Sequence, residues 1–419
     1  MTQATALKIL KSGANVFLTG EPGSGKSYTI NAFRKYLAEA GIPYAVTAST
    51  GIAATHIGGV TIHSWSGLGI KDTIDDAFLM NIANNKPFVV KKIQHPQVLI
   101  IDEISMLNAQ TLDNVERIVS YMRGGSAWGG LQIVFVGDFF QLPPVNKTKD
   151  PTKFAFESAT WHKANLTYCY LHEQHRQNDP VFLEILTAIR QCEVTSEHKD
   201  ILRGAFKGDP KSIPTRLFTH NADVDALNGQ KLRMLEGETH TFVMEESGNE
   251  FLVAMMKKHC LSPEKLQLKE GAVVMFTRNK FGEDEQAPIY VNGTLGVVER
   301  FNQGTPVIRT TDGRLIYAEQ ATWEIEENGV VKASISQYPL RLAWAVTIHK
   351  SQGMSLDHAR IDLSKAFEYG QGYVAVSRVR SMEGLCIEGL NEHAFEMHPK
   401  VIEADNLFRE ESDLAESKY

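Results

Sequence analysis

Residues 20–27 read GEPGSGKS, and this stretch decides how the first half of the chain folds. It follows NVFLTG (15–20), a short β-rich run, and precedes a stretch to about Ala40 with a helical pattern. Strand, glycine-rich loop and helix together are the context that G-x-x-x-x-G-K-[ST] needs to be a phosphate-binding loop. Gly20, Gly23, Ser24 and Gly25 let backbone N–H groups surround phosphates, Lys26 reaches the β and γ oxygens, and the Ser27 hydroxyl can ligate magnesium. The competing reading is a glycine-rich turn beside an exposed lysine. The flanking strand and helix argue against it.

Outward from this loop, YAVTAS (44–49), QVLIID (97–102) and LQIVFVGD (131–138) are further apolar runs of strand length, separated by helix-like stretches such as TLDNVERIVSYM from Thr111. Their hydrophobicity is continuous rather than alternating, which predicts a parallel sheet covered on both faces. VLIIDEIS ends a strand in Asp102 and Glu103, the second half of a nucleotide-hydrolysis site: Asp102 to hold magnesium, Glu103 to orient and deprotonate water. A strand ending in two acids is common by itself; beside a phosphate loop it acquires this meaning. GDFFQLPPV sets Gln141 just past a third strand, where an uncharged amide can touch the γ-phosphate and report its loss. The alternative for Gln141 is an ordinary polar loop residue.

The chain has 419 residues, more than one core holds, since single cores stop growing near roughly 250 to 300 residues, so two or more domains are expected. With 43% hydrophobic and 22% charged residues and no long apolar run, it reads as a globular protein without a membrane span. The first residues lack the pattern of a secretory leader, and the cytoplasm is the expected location. Cys169, Cys192, Cys260 and Cys386 lie far apart with no CxxC pair, against a zinc site or a disulfide framework. The net charge of −7 is unusual for a nucleic-acid binder, because phosphate contacts come chiefly from Lys and Arg. Residues 391–419 hold eight acids against three bases, a net of −5, so the body carries only −2 and has room for a local basic groove. This acidic segment is expected to form a tail that stays off nucleic acid.

The expected organisation is a first α/β domain over 1–165, with a polar insertion at 66–94, and a second α/β region over 166–236 and 332–390. Between 237 and 331, short alternating pieces (GAVVMFTRN, NGTLGVVERF, TPVIRTTDGRLIYA) separated by Gly, Asn and Asp turns predict a small antiparallel barrel, SH3-like, inserted in that second region.

The motifs occur in an order that resembles one family. GEPGSGKS, ASTGIAA with TIHSW, LIIDEISML, GGLQIVFVGDFFQLPPV, LHEQHRQNDPVFLEILTAIR, AWAVTIHKSQGMSLD and YVAVSRVRS are similar to the motifs of PIF-type helicases, in the superfamily one B branch with the RecD-like and phage Dda helicases. AWGG at Ala127 departs from the family's more usual PFGG, which sets the chain apart from close eukaryotic kin and suits a bacterial or phage-like source. The resemblance implies two RecA-like motor domains, each a parallel sheet, with ATP and Mg2+ between them. It also implies charge-stabilising arginines on the second domain, Arg176 in EQHRQ and Arg378 in AVSRVR, and an adenine-reading glutamine at Gln3.

For DNA, the matching motifs offer Thr50 and Gly51, His63 and Trp65, Thr219, His220 and Asn221, then Thr347, His349, Lys350 and Ser351. Small hydroxyls and backbone N–H groups can hold successive phosphates of one strand, and Trp65 can stack on a base. Singly, a histidine is more often structural and a tryptophan more often core. The resemblance implies 5′-to-3′ translocation on single-stranded DNA by a monomer and unwinding of duplexes with a 5′ overhang, and it leaves open G-quadruplexes and RNA–DNA hybrids as substrates. The segment 66–94 is the candidate strand-separating pin. Two rival classes are a phosphate-loop ATPase that remodels proteins without translocating and a small-molecule kinase. TIHSW and TIHKSQG disfavour the first, and the second-domain arginines and chain length disfavour the second.

Overall fold

The computed structural model describes residues 1–69, 71–144, 153–172, 179–205, 215–281, 288–327, 330–352, 354 and 356–418. The chain divides into two compact units: Met1–Val194 with Glu368–Tyr373 and Phe395–Tyr419, and Thr195–Phe367 with Val374–Ala394.

The first unit is built on six parallel strands: β1 (Val16–Gly20), β2 (Tyr44–Ala48), β3 (Val60–Thr61), β4 (Val98–Asp102), β5 (Gln132–Val136) and β6 (Thr167–Leu171). They lie in the order β3-β2-β4-β5-β1-β6, with Phe17 of β1 beside Phe135 on one side and Tyr168 on the other. All five residues of β1 are buried, as continuous hydrophobicity requires of a strand covered on both faces. The loops that follow β1, β2, β4 and β5 all leave from the carboxyl edge, where open parallel sheets bind ligands.

The boundary expected at residue 165 falls inside this sheet. β6 closes it against β1, and the following helix, Pro180–Gln191, is also part of the first unit. Strand pairing overrides sequence proximity here, because β1 presents an open edge that TYCYL fits in parallel register.

The acidic segment is likewise not a free tail. Pro399–Glu416 is a helix capped by His398, with Val401, Phe408, Ser412 and Ala415 buried. The Ser412 hydroxyl accepts a hydrogen bond from the Tyr170 N–H at 2.9 Å, so the helix covers the outer edge of β6. Phe408 stacks on Tyr168 at 5.3 Å and meets Phe17 edge-on at 5.1 Å, in an aromatic cluster with Phe156, Trp161 and Phe139, the last a residue of GDFFQLPP. Apart from Asp405, which is buried in the same stripe, the acids of this helix lie outside it, so net charge hid a largely apolar stripe.

Within 66–94, helices Asp76–Asn85 and Pro87–Gln94 pack on helix Ala109–Arg123. Leu79, Ile82 and Ile93 are buried, and Asn114 and Arg117 donate to the carbonyls of Asp72 and Ile74.

The second unit holds a four-stranded parallel sheet in the order Ala345–Thr347, Arg216–Phe218, Ala359–Leu363, Leu385–Leu390. The alternating segment builds separate antiparallel sheets. The largest runs Leu315–Tyr317, Thr305–Thr310, Leu295–Asn302, Val273–Phe276, Leu340–Leu342. Its sharpest hairpin turns at Gln303 (φ 49°) and Gly304 (φ 86°) between the paired residues Asn302 and Thr305, the left-handed two-residue turn that matches strand twist. This sheet takes its last strand from beyond Val331.

Candidate functional site

β1 ends in Gly20 (φ 143°), and the loop continues through Gly23 (φ 91°) and Gly25 (φ 88°) before helix Lys26–Glu39 begins. These left-handed angles admit glycine cheaply and turn the backbone N–H groups inward. A methyl group on Gly25 would come within 2.0 Å of the Gln3 amide nitrogen, which donates to the Ser24 carbonyl at 3.2 Å. Gln3, opening helix Gln3–Lys11, therefore leans on the loop from outside. Ser24 is buried and its hydroxyl finds no partner among the described residues, whereas Ser27 is exposed one residue into the helix. A cradle of left-handed glycines with an unanswered hydroxyl fits a phosphate chain.

Lys26 donates from Nζ to the carbonyls of Gly20 (2.8 Å) and Glu21 (3.0 Å). Burial pushes its pKa down, while the carboxylates of Asp138, Glu103 and Asp102 oppose that shift. The three acids thus face this ammonium from the ends of β4 and β5. Burial pushes the Asp102 carboxyl up, against the N–H of Glu103 (2.8 Å to Oδ1) and the charge of Lys26. Glu103 has φ 51° and ψ 46°, a left-handed conformation that a non-glycine residue adopts only at a cost of about 1 to 3 kcal/mol. Strain of this kind collects at working sites. The loop after β2 joins the same edge, because Ser49 N–H donates to the Asp102 carbonyl at 3.2 Å. Thr50 then caps helix Gly51–His56 by accepting from Ala53 N–H.

Gln141 is buried at 7% exposure and donates from Nε2 to Asp138 Oδ2 at 3.3 Å. Asp138 is also held by Arg190, whose Nη1 lies 3.0 Å from both carboxylate oxygens. The same guanidinium donates to the hydroxyls of Tyr373 (2.8 Å) and Tyr170 (2.7 Å) and sits 4.1 Å from the Phe140 ring centre. Asp138, Arg190 and Tyr373 lie within the quoted motifs, but their mutual contacts are not apparent from the sequence. A signal existed: Arg190 continues the stripe of Phe182 and Leu186 on helix Pro180–Gln191, where an arginine in a buried row calls for a buried acid.

Gln3, the phosphate loop, Asp102, Glu103 and Gln141 therefore converge on one edge of the first unit. Arg176 lies outside the described residues. Arg378 belongs to the second unit, is 2% exposed, and donates to the carbonyls of Val374 (3.0 Å) and Met354 (3.5 Å) and to the Ser377 hydroxyl (2.9 Å).

The expected DNA-facing residues separate into two groups. Thr50, Gly51 and His63 in the first unit, and His220, His349 and Lys350 in the second, keep exposed or half-exposed positions. Trp65 is 3% exposed, which corrects the stacking role: its ring is core. Thr219, Thr347 and Ser351 are also buried, and their hydroxyls are committed internally. Thr347 accepts from Lys350 N–H (3.3 Å), Ser351 donates to Ile348 O (2.8 Å), and Thr219 pairs with His220 Nδ1 (2.8 Å). They shape the loops that carry their exposed neighbours. Asn221 opens helix Asn221–Met234, and its side chain lies outside the described residues. Lys350 has its pKa lowered by burial and by nearby Arg341.

A PIF1-like helicase family model matches residues 2–199. A Psychrobacter ATP-dependent DNA helicase Pif1 is 42% identical over 478 aligned residues, covering 100% of this chain and 72% of that protein. The crystal structure of Pif1 helicase from Candida albicans is 34% identical, with TM-score 0.81 over 97% of this chain and 98% of that one. The Bacteroides Pif1 structure in complex with ADP-AlF4 is 30% identical, with TM-score 0.82, covering 98% and 97%. The family model stops near the end of the first unit, whereas the Psychrobacter protein and the two solved structures run through both parallel-sheet units and the antiparallel insertion, which makes the two α/β layers RecA-like. With the phosphate loop, acidic pair and glutamine converging on one sheet edge as that kinship requires, the chain belongs to the PIF1-like helicase family.

Proposed function

We propose that the chain is an ATP-driven helicase that moves 5′-to-3′ on single-stranded DNA and unwinds duplexes carrying a 5′ overhang. The observation that carries this reading is the convergence of Lys26, Asp102, Glu103 and the Gln141–Asp138 pair on the edge that also bears Thr50 and Gly51. A hydrolysis site and a strand-gripping loop then share the backbone link from Ser49 to Asp102.

In this mechanism Lys26 exchanges its loop carbonyls for phosphate oxygens, Ser27 and Asp102 hold magnesium, and Glu103 takes the proton of the attacking water. Magnesium, when bound, neutralises charge on the transferring phosphoryl group. Gln141 contacts the γ-phosphate from its anchor on Asp138. Arg176 and Arg378 are assigned the charge-stabilising roles, Arg378 after leaving its internal carbonyls, and Gln3 reads the base. His63, His220, His349 and Lys350 join Thr50 and Gly51 as the strand contacts. The helical pair within 66–94 serves as the pin that parts the strands.

The test is polarity on tailed duplexes. The reading expects unwinding of a duplex with a 5′ single-stranded overhang and none of one with only a 3′ overhang; unwinding from the 3′ tail alone would overturn it. Shortening the helical pair should impair strand separation more than DNA-stimulated hydrolysis, and normal unwinding by that variant would move the pin elsewhere.

A further inference from the structure

The buried polar cluster around Arg190 goes beyond what the fold needs to bury it. Arg190 is 2% exposed, and one nitrogen, Nη1, serves Asp138 Oδ1, Asp138 Oδ2 and the Tyr373 hydroxyl. The other, Nη2, turns toward Tyr170, whose hydroxyl also receives Arg409. The cluster thus has two sides. One faces the carboxyl ends of the strands, through Asp138 to Gln141 and, by charge, to Lys26. The other fastens β6 to the C-terminal helix through Tyr170 and Asp405.

The strand-end side reaches a particular stretch of chain. Gly370 (φ 75°) packs so closely that a methyl group there would lie 2.5 Å from the Phe140 carbonyl oxygen and 2.9 Å from that of Gln141. Tyr373 is fully buried, accepts from Arg190 through its hydroxyl at 2.8 Å, and sits in helix Gln371–Val376. Residues 368–373 belong to the first unit, and the same short helix carries the chain into the second unit, where Arg378 follows five residues after Tyr373.

We propose that Arg190 is a positioning residue of the hydrolytic cycle. Its guanidinium fixes Asp138 and hence Gln141, and its bond to Tyr373 links that glutamine to the helix that leads to Arg378. The proposal rests on the roles given above to Gln141 and Arg378. A shift of Gln141 on phosphate release moves Asp138, Asp138 moves Arg190, and the bond to Tyr373 passes the displacement to the chain segment entering the second unit. Interior packing transmits such displacements because it has little free volume to absorb them.

The test compares Tyr373→Phe with Tyr170→Phe in the full chain. Each variant removes one hydroxyl from Arg190, the first on the strand-end side and the second on the helix side. ATP hydrolysis is measured with and without saturating oligo-dT, together with the urea midpoint. The proposal expects Tyr373→Phe to lose about tenfold in kcat with little change in KM, the signature of a lost positioning contact, while Tyr170→Phe stays within about twofold in kcat. Arg190→Lys, which keeps the charge but not the fork, should lose kcat similarly, and the double variant Arg190→Lys/Tyr373→Phe should be no slower than the worse single. Parental kcat in Tyr373→Phe overturns the proposal. So do equal losses in both tyrosine variants, a KM-only effect, or losses that multiply in the double variant. A parental protein whose hydrolysis ignores DNA overturns the translocase reading instead, and basal kcat then decides the role of Arg190 by the same comparison.

Discussion

Phe408→Ala tests whether the C-terminal helix is part of the first unit's core. Phe408 is 4% exposed, stacked on Tyr168 at an interplanar angle of 17° and edge-on to Phe17 at 5.1 Å, with Phe156 and Phe139 at 6.0 and 6.1 Å. Five rings bound the space it fills, and four of them are anchored in strands or short helices that cannot collapse inward. The loss should therefore fall in the usual range for a buried Phe→Ala, about 3 to 5 kcal/mol. With a urea slope of about 3 kcal/mol/M, the midpoint should fall by about 1 to 1.7 M. Tryptophan fluorescence reads it well, since Trp161 lies 6.3 Å from the lost ring. Leu407→Ala, at a position 51% exposed on the same helix, is the control and should change stability by no more than about 0.5 kcal/mol. A midpoint shift for Phe408→Ala as small as the control's would refute the placement of this helix in the core.

Lys26→Ala should abolish ATP hydrolysis while the protein still unfolds cooperatively, because among the described residues the ammonium bonds only the loop carbonyls of Gly20 and Glu21, not a core partner; near-parental turnover would sink the site assignment. Glu103→Gln should retain nucleotide binding and lose about 10² to 10⁴ in kcat, the usual contribution of a general base, and a parental rate would put the base elsewhere. His398 caps the C-terminal helix between the rings of Phe154 and Tyr369, and burial, reinforced by Lys400 and opposed by Glu157, holds its pKa below the ordinary 6.5. A folded-state pKa below the unfolded one gives stability that is present above that ordinary value and lost as pH falls through the depressed one. The urea midpoint should therefore drop on acidification below about pH 6.5, less steeply in His398→Asn, with the lowered pKa of His172 supplying a second contribution of the same sign. An unchanged pH slope in that variant would remove His398 from the account.

The phosphate loop, Asp102, Glu103 and Gln141 were legible because each depends on a strand and the few residues after it, and the apolar runs marked the strands. What the sequence concealed depends on distant pairings. Nothing in TYCYL says that it closes the first sheet against β1 rather than starting the second, since both readings need the same apolar strand. The acids of Pro399–Glu416 masked a buried stripe whose partners, Tyr170 and Phe17, lie more than two hundred residues away. Trp65 failed for the opposite reason: its motif suggested exposure, but one turn of helix, capped by Thr61, rotates it inward and leaves His63 half-exposed. The Arg190 cluster joins β5, β6, Pro180–Gln191, Tyr373 and the C-terminal helix, so no local window contains it.

The central claim is that strand binding and ATP hydrolysis are coupled in this chain. The most direct measurement is steady-state ATP hydrolysis, with magnesium, across a titration of single-stranded oligo-dT. Turnover should rise with DNA to a saturating plateau and vanish in Lys26→Ala with or without DNA. Turnover in the parental protein that is the same at every DNA concentration would contradict it.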